Sequence, residues 1–289
     1  MSMQICVLGS GSAGNSTLVR VGGEAILIDA GFGPRAIGKR LKAAGAELDE
    51  VRAVLLTHLD TDHFRPTWVR ALVRRGITAY CHRRRLHQLY QIAAAAAPEL
   101  SAYELQSLGL FRALNGETFK LPLESAAAVN AVDLAHDRAG TSGFVIDTPD
   151  GRLGYATDLG RVPDDFAATF GEVDVLALES NYDPQMQVAS ARPYFLKRRI
   201  MGGAGHLSNH EAFDAVRGVV DRSPRPPRHI VLLHLSRDCN DPRIVHETFA
   251  AHPAIAPRLC IASQHEPTPW LGARDVLPCA KTGQLRMFA

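Results

Sequence analysis

The stretch VLLTHLDTDHF, residues 54–64, constrains the fold more than any other part of the chain, because an apolar run ends abruptly in acidic and histidine side chains. Residues 54–56 have the apolar character of a buried strand. Four side chains of metal-ligating type follow within six residues: His58, Asp60, Asp62 and His63. A solvated turn is the plain alternative, but the run is too short to place all four groups on one face of a helix. The spacing favours chelation of a metal ion by a loop at the end of a strand.

Four further predicted strands end in the same way. His136 follows VNAVDLA, Asp158 follows LGYAT, Glu179 follows VLAL and His234 follows IVLL. Strand ends of this kind meet at one edge in layered α/β folds, where ligands commonly bind, so we expect these groups to converge. A single histidine at a strand end is more often an ordinary core or surface residue. Taken together, buried acidic and histidine groups are costly without a partner, and a divalent cation would satisfy them.

The beginning of the chain, ICVLGSGSAGNS, imitates a dinucleotide-binding fingerprint. Its glycines stand in G-x-G-x-x-G register, and Asp29 lies 20 residues beyond Gly9. That fingerprint requires a helix after the third glycine. Here residues 16–21 and 24–29 have the pattern of two strands joined by a glycine pair, which is typical of a hairpin. We therefore expect a tight turn that passes close to another part of the protein, not a nucleotide site.

The order of predicted elements indicates a layered α/β fold. Two strands and a helix come first, strands and helices then alternate, and a β-rich middle precedes a final strand, helix and strand. This order suggests two mixed sheets with helices outside them. A chain of 289 residues can bury a large core, and we expect a single domain over residues 1–289.

The overall charge of the chain does not indicate nucleic-acid binding. Lys and Arg number 32 and Asp and Glu number 30, a formal charge of +2, so any anionic ligand must be held locally. Two basic clusters, residues 83–85 (RRR) and 197–199 (KRR), can guide a phosphate backbone, although each alone is equally a solvated surface face. Aromatic residues make up 7% of the chain and are isolated at Tyr80, Tyr90, Phe195 and Trp270. We therefore expect no platform for stacking bases.

The cysteines and the N-terminal residues exclude other classes of protein. Five cysteines are scattered without a C-x-x-C pair: Cys6, Cys81, Cys239, Cys260 and Cys279. Neither a disulfide framework nor a cysteine zinc site is supported, and we expect buried thiols. The N-terminal MSMQICVLGS lacks the features of a secretion signal, and no apolar run is long enough to cross a bilayer. We expect a cytoplasmic protein with no membrane partner, and the pattern makes no prediction of oligomeric state.

The run HLDTDH resembles the H-x-H-x-D-H motif of the metallo-β-lactamase superfamily, and Asp29, His136, Asp158 and His234 match its flanking positions. Within that superfamily LGSGSAGNSTLV, GHLSN at 205–209 and HLSRDCN at 234–240 resemble the YycJ/WalJ group, whose members are metal-dependent exonucleases and phosphodiesterases. The resemblance covers about the first 240 residues. It implies a four-layer αβ/βα sandwich of two mixed β-sheets with outer helices. The implied domain has a core over about 1–245 and a C-terminal extension over about 246–289.

The resemblance also implies seven ligands for two divalent metal ions. One ion would be held by His58, Asp60 and His136, and the second by Asp62, His63 and His234, with Asp158 bridging them. Asp29 would orient the histidines from behind. Asp60 stands where the family usually has histidine, and its harder oxygen shifts the expected metal from zinc towards manganese or iron.

Catalytic roles follow from the same resemblance. Asp62 would take a proton from the attacking water, and His206 in GHLSN would hold the scissile phosphate or protonate the leaving oxygen. The alternative for His206 is a histidine at a helix entry next to a capping Ser208. Three functions remain open: a phosphodiesterase or exonuclease on nucleic acid, a hydrolase of small lactones, thioesters or cyclic phosphates, and a metal-binding protein that Asp60 has weakened as a catalyst.

Overall fold

A computed structural model describes residues 3–114 and 118–274 of the chain. Within these residues two sheets of seven strands are present. In spatial order the strands of the first sheet are β14 (Leu271–Gly272), β1 (Gln4–Gly9), β2 (Ser16–Val21), β3 (Glu24–Ile28), β4 (Val51–Leu55), β5 (Thr78–His82) and β6 (Phe111–Leu114). Those of the second sheet are β13 (Leu259–Ile261), β12 (His229–Leu233), β11 (Val175–Glu179), β10 (Gly151–Ala156), β9 (Thr141–Thr148), β8 (Ala128–Leu134) and β7 (Phe119–Lys120).

Helices cover the outer face of each sheet. The helices of the described residues are α1 (Pro34–Ala43), α2 (Trp68–Arg75), α3 (Leu86–Ala96), α4 (Ala102–Ser107), α5 (Phe166–Thr169), α6 (Pro184–Ala189), α7 (Tyr194–Arg199), α8 (Asn209–Arg222) and α9 (Pro242–Ala250). Apolar residues of α1 to α4 pack on the first sheet, and those of α5, α8 and α9 pack on the second. None of these helices combines the length and the apolar character needed to cross a bilayer.

The strands are apolar on both faces because each sheet is covered on both sides. In β1, Ile5 and Val7 point into the core between the sheets, whereas Cys6 and Leu8 point towards the outer helices. Strand β12 alternates in the same way between the central core and the helices of the second sheet. Side chains that alternate in direction along a strand produce this division. The predicted four-layer sandwich of two mixed sheets with outer helices is confirmed.

The strand directions bring several strand ends to one edge. Strands β3 to β6 run parallel to one another, and so do β10 to β13. Strand β9 lies between β8 and β10 and is antiparallel to both, so β8 points the same way as β10. The carboxyl ends of β8, β10, β11 and β12 therefore share an edge of the second sheet, which is where four of the predicted site residues follow.

The glycine-rich loop between β1 and β2 leads into a strand and not into a helix, and β2 forms the predicted hairpin with β3. The side chain of Gln264 fills the loop: its Nε2 donates to Gly14 O and its Oε1 accepts from Ala13 N, each at 2.8 Å. A Cβ on Gly11 would meet Gln264 Oε1 at 2.7 Å. The predicted close approach is thus to the protein's own chain.

The segment after residue 245, whose pattern predicted no function, completes both sheets. Strand β13 extends the second sheet and β14 extends the first. Thr268 also binds β1, since its backbone N donates to Val7 O at 2.9 Å and its Oγ1 accepts from Val7 N at 3.0 Å.

The cysteines lie largely inside the protein. Cys6, Cys81 and Cys239 are buried, as expected, whereas Cys260 is half-buried. Burial raises the pKa of the Cys6 thiol to about 11, so this thiol is protonated at neutral pH. Cys279 lies outside the described residues.

Candidate metal centre

One pocket lies at the edge where the strand ends meet. Six of the seven predicted ligands line it: His58, Asp60, Asp62, His136, Asp158 and His234. The seventh, His63, is fully buried behind them. The predicted catalytic residue His206 lines the same pocket. The fold therefore brings together every site residue that the sequence singled out, from positions more than 170 residues apart.

The first predicted ligand group is His58, Asp60 and His136, whose potential ligand atoms lie within 4.8 Å of one another. His58 Nε2 is 3.8 Å from Asp60 Oδ2, and its Nδ1 is bound to Thr57 Oγ1 at 3.0 Å. His136 Nδ1 donates to the carbonyl oxygen of Gly205 at 2.9 Å. Because a fixed partner engages Nδ1 in each ring, Nε2 is left as the available donor atom.

The second predicted group, Asp62, His63 and His234, is equally compact. Asp62 Oδ2 lies 3.6 Å from His63 Nε2 and 3.5 Å from His234 Nε2. Asp158 stands beside both groups, with Oδ2 at 3.0 Å from His63 Nε2 and with its carboxylate grouped with His58. This is the position that a bridging ligand would need.

Asp29 orients His63, as the resemblance implied. The Asp29 carboxylate is fully buried and accepts from Thr57 N at 2.9 Å and from His63 Nδ1 at 2.7 Å. Thr57 Oγ1 contacts both carboxylate oxygens, at 3.0 and 2.9 Å. Because Asp29 takes the proton-bearing Nδ1, the ring directs Nε2 towards Asp62 and Asp158.

The electrostatics of the pocket suit a cation. Burial alone would lower the pKa of His63, but the charges of Asp158 and Asp29 raise it to about 10. Burial likewise opposes ionisation of Asp62, yet a hydrogen bond from His234 and the charge of His63 hold the pKa of Asp62 below its usual value. The carboxylates of Asp62 and Asp158 are therefore ionised, and the raised pKa of His63 shows that the surroundings favour positive charge. A divalent cation is the partner that this donor set of imidazole nitrogens and carboxylate oxygens fits.

Glu179 belongs to the site, although the sequence pattern predicts only its position at a strand end. It is fully buried at the end of β11, and its Oε2 accepts from His206 Nδ1 at 3.0 Å and from His234 Nδ1 at 3.2 Å. The backbone N–H groups of Asp158 and Leu207 also donate to it, at 3.0 and 2.8 Å. Glu179 thus links His206 to the ligand groups.

His206 combines the two alternatives that the sequence left open. Ser208 caps α8 as predicted, because its Oγ accepts from Glu211 N and Glu211 binds back to it. His206 precedes this cap, yet its side chain lines the pocket and Glu179 holds its Nδ1. Its Nε2 is therefore available for chemistry.

Three site residues occupy a strained backbone conformation. Asp29, Asp158 and His234 have φ values of 62°, 53° and 54° in the left-handed region. Residues other than glycine rarely adopt this region, and such positions cluster at functional sites. Asp29 and His234 directly follow strands and Asp158 follows β10 by two residues, so all three left-handed turns lie at strand ends.

The loop that carries HLDTDH is clamped from the N-terminal motif. Asn15 N donates to Asp62 O at 2.7 Å, and Asn15 Nδ2 lies 3.0 Å from His63 Nε2. Ser10 Oγ accepts from His234 N at 2.8 Å. The SGSAGNS loop thus packs against the HLDTDH loop and the end of β12.

The loop after β3 packs on the same segment. Ala30 N donates to His63 O at 2.7 Å, and a Cβ on Gly31 would overlap the carbonyl oxygen of Asp62. The backbone of residue 31 must therefore approach the metal-ligand loop without a side chain.

The two basic clusters differ from the expectation. Arg85 is buried and binds Asp137 Oδ1 at 2.9 Å and Gly140 O at 2.7 Å, so it does not act with its exposed neighbours as a phosphate track. In the second cluster Arg199 lines the pocket, while Lys197 Nζ donates to Val188 O. Arg192, which the sequence pattern did not single out, also lines the pocket.

Sequence comparison identifies relatives along most of the chain. Residues 24–235 match the sequence model of a family described as "Beta-lactamase superfamily domain". The chain is 26% identical over 241 residues to exodeoxyribonuclease YycJ of Bacillus anthracis, covering 83% of this chain and 85% of that protein. It is 24% identical over 247 residues to exodeoxyribonuclease WalJ of Streptococcus pneumoniae, covering 84% and 85%.

Solved structures share the fold. The metallo-β-lactamase fold protein YhfI from Bacillus subtilis superimposes with a TM-score of 0.65 at 15% identity, over 93% of this chain and 100% of that one. The human short-form tRNase Z superimposes with a TM-score of 0.62 at 17% identity, over 96% and 100%.

Proposed function

The chain belongs to the β-lactamase superfamily, and we propose that it is a metal-dependent hydrolase. Its proposed reaction is the cleavage of phosphodiester bonds in nucleic acid, and its proposed type is an exonuclease. One observation carries the proposal: seven potential metal ligands and His206 converge on one pocket whose wall also carries two arginines, Arg192 and Arg199. The relatives that match most of the chain are named exodeoxyribonucleases.

Two divalent ions, zinc or manganese with iron as a further candidate, are the proposed cofactors. The first would be held by His58, Asp60 and His136, the second by Asp62, His63 and His234, with Asp158 between them. Such ions lower the pKa of water and neutralise charge on the phosphate that is attacked. The oxygen ligand of Asp60, in place of an imidazole, favours manganese or iron at the first position.

The protein's own groups supply the proton transfers. We assign to Asp62 the acceptance of a proton from the attacking water, because its carboxylate lies in the pocket between His63 and His234. His206 is the proposed donor to the leaving oxygen or the group that holds the scissile phosphate. Glu179 accepts from His206 Nδ1 at 3.0 Å and so fixes the ring. A second proton on Nε2, favoured by the Glu179 carboxylate, would be the one donated.

The two arginines of the pocket favour a polyanionic substrate over the small-molecule alternative. Arg192 and Arg199 line the pocket, whereas hydrolysis of an uncharged lactone or thioester needs no such groups. The single domain over residues 1–289 and the cytoplasmic location stay predictions.

The test uses single-stranded DNA labelled at its 5′ or 3′ end, with Mn²⁺, Mg²⁺ or Zn²⁺ added to the wild-type protein, Asp62→Asn and His206→Ala. We expect cleavage by the wild type, none by Asp62→Asn, and a rate lowered about 10²- to 10⁴-fold in His206→Ala at unchanged metal content. Asp147→Asn, which removes an exposed carboxylate paired with Arg152, is the matched control.

Equal cleavage by the wild type and Asp62→Asn would contradict the proposed mechanism. Bound metal without cleavage of any phosphodiester would favour the weakened metal-binding protein. Faster, salt-insensitive turnover of a small lactone or thioester would favour the small-molecule hydrolase.

A further inference from the structure

We propose that the pocket wall formed by residues 192–200, which we name the α7 lip, binds the unpaired bases and phosphates of a single-stranded nucleic acid, with Phe195 as the stacking platform. The inference rests on the proposed phosphodiesterase function and names the form of substrate that the site accepts.

The α7 lip is part of the pocket itself. Arg192, Leu196, Arg199 and Ile200 line the cavity that His206 also lines. A strand held on this wall would therefore enter the metal centre without crossing any other surface.

Contacts with the rest of the protein hold the α7 lip in place. Lys197 Nζ donates to Val188 O in α6 at 2.7 Å, and Leu196 and Ile200 pack in a small apolar cluster with Tyr182. Arg192 donates to Ser236 Oγ at 3.1 Å. These contacts present a preformed surface, which lowers the entropy lost on binding.

Two adjacent aromatic side chains on the lip are exposed without a packing role. Tyr194 is 78% and Phe195 is 73% exposed. Phe195 and Arg199 are four residues apart in α7 and share a helix face, and Arg199 lines the pocket, so Phe195 adjoins a pocket residue. The proposal departs from the expectation of no stacking platform, because Tyr194 adjoins Phe195 and both rings are exposed. Every base has a face that can stack on such a ring.

Positively charged side chains flank these rings on both sides in the sequence. Among residues 3–114 and 118–274, neither Arg198 nor Arg199 has a carboxylate partner. Arg192 is held by Gln187 at 3.2 Å, Ser236 at 3.1 Å and Asp238 at 3.5 Å, and it still lines the pocket. A surface with exposed rings flanked by cations can contact both the bases and the phosphates of a single strand. A second copy of the lip would instead bring like charges together.

The test measures binding separately from cleavage. Fluorescence anisotropy of a labelled phosphorothioate oligothymidylate, which resists hydrolysis, is recorded with the purified wild-type protein, Phe195→Ala and Phe195→Trp. The same titrations are made with a strand of abasic residues and with a blunt duplex. Tyr103→Ala is the matched control, since Tyr103 is an exposed aromatic, at 79%, on α4 and does not line the pocket.

We expect Phe195→Ala to weaken binding of the oligothymidylate by about 5- to 150-fold, and Phe195→Trp to retain it. Tyr103→Ala should bind as the wild type does. The abasic strand should bind weakly to every variant and show no effect of Phe195→Ala. Affinity for the oligothymidylate should fall steeply with salt.

Unchanged binding by Phe195→Ala, or an equal loss for the abasic strand and the duplex, would overturn the assignment of a stacking platform. A change in oligomeric state with unchanged binding would assign the lip to self-association and overturn the inference. Absence of cleavage by the wild type, measured separately on unmodified DNA, would overturn the hydrolase proposal and leave the binding result standing.

Discussion

Replacement of Asp29 by asparagine tests how the site is held together, because it keeps the shape of the side chain and removes its charge. The carboxylate accepts from Thr57 N, Thr57 Oγ1 and His63 Nδ1 at 2.7 to 3.0 Å. An amide has one oxygen, which can keep the bond from Thr57 N. Its NH₂ group then faces His63 Nδ1, and two donors oppose each other unless the imidazole moves its proton to Nε2.

The size of the effect follows from that geometry. A proton on Nε2 removes His63 from the predicted ligand set, so we expect the affinity for Mn²⁺ or Zn²⁺ to fall about 10- to 100-fold, or about 1.4 to 2.7 kcal/mol. Loss of the charge-assisted hydrogen bond from His63 to the carboxylate should lower the free energy of unfolding by about 1 to 3 kcal/mol.

Competition with a chromogenic chelator measures the metal affinity, and urea denaturation followed by circular dichroism measures the stability. Asp147→Asn serves as the control, because its carboxylate pairs with Arg152 at the surface and its loss should change neither quantity by much. Wild-type metal affinity in a folded Asp29→Asn variant would refute the reasoning that Asp29 sets the His63 tautomer for ligation.

Three further predictions concern single residues. Asp60→His, which restores the nitrogen ligand of the superfamily motif, should raise the preference for Zn²⁺ over Mn²⁺ by about tenfold; an unchanged ratio of dissociation constants would mean that Asp60 binds no ion. Glu179→Gln should lower DNA cleavage about 10- to 100-fold by releasing His206, while the fold is retained; full activity in a rate assay would remove its positioning role. Gly31→Ala should abolish cleavage and metal binding, because the added methyl group displaces the backbone of Asp62; a crystal structure or metal titration indistinguishable from the wild type would disprove this.

The ligand groups could be predicted because their signals are local in the sequence. HLDTDH places four residues of metal-ligating type within six positions. His136, Asp158 and His234 each follow an apolar run that the strand pattern predicts. Parallel strands align their carboxyl ends, so convergence follows from the fold class alone. The layered fold was predictable for the same reason, since strand and helix patterns alternate clearly over the first half of the chain.

Contacts between distant segments could not be predicted. Gln264 fills the loop at Gly14 across 250 residues of sequence, and nothing in HEPTPWL signals that β14 will pair with β1. The role of Glu179 depends on four donors from three other segments, and a lone acidic residue after a strand does not specify them. The two basic clusters looked alike in sequence, yet tertiary packing buries Arg85 and leaves Arg199 at the pocket.

Anomalous X-ray diffraction from crystals grown with Mn²⁺ or Zn²⁺ tests most directly whether strand-end side chains hold a pair of cations. The proposed site predicts two anomalous peaks: one among His58, Asp60 and His136, the other among Asp62, His63 and His234, with the Asp158 carboxylate between them. The absence of both peaks from this pocket at saturating metal, or peaks only elsewhere on the protein, would contradict it.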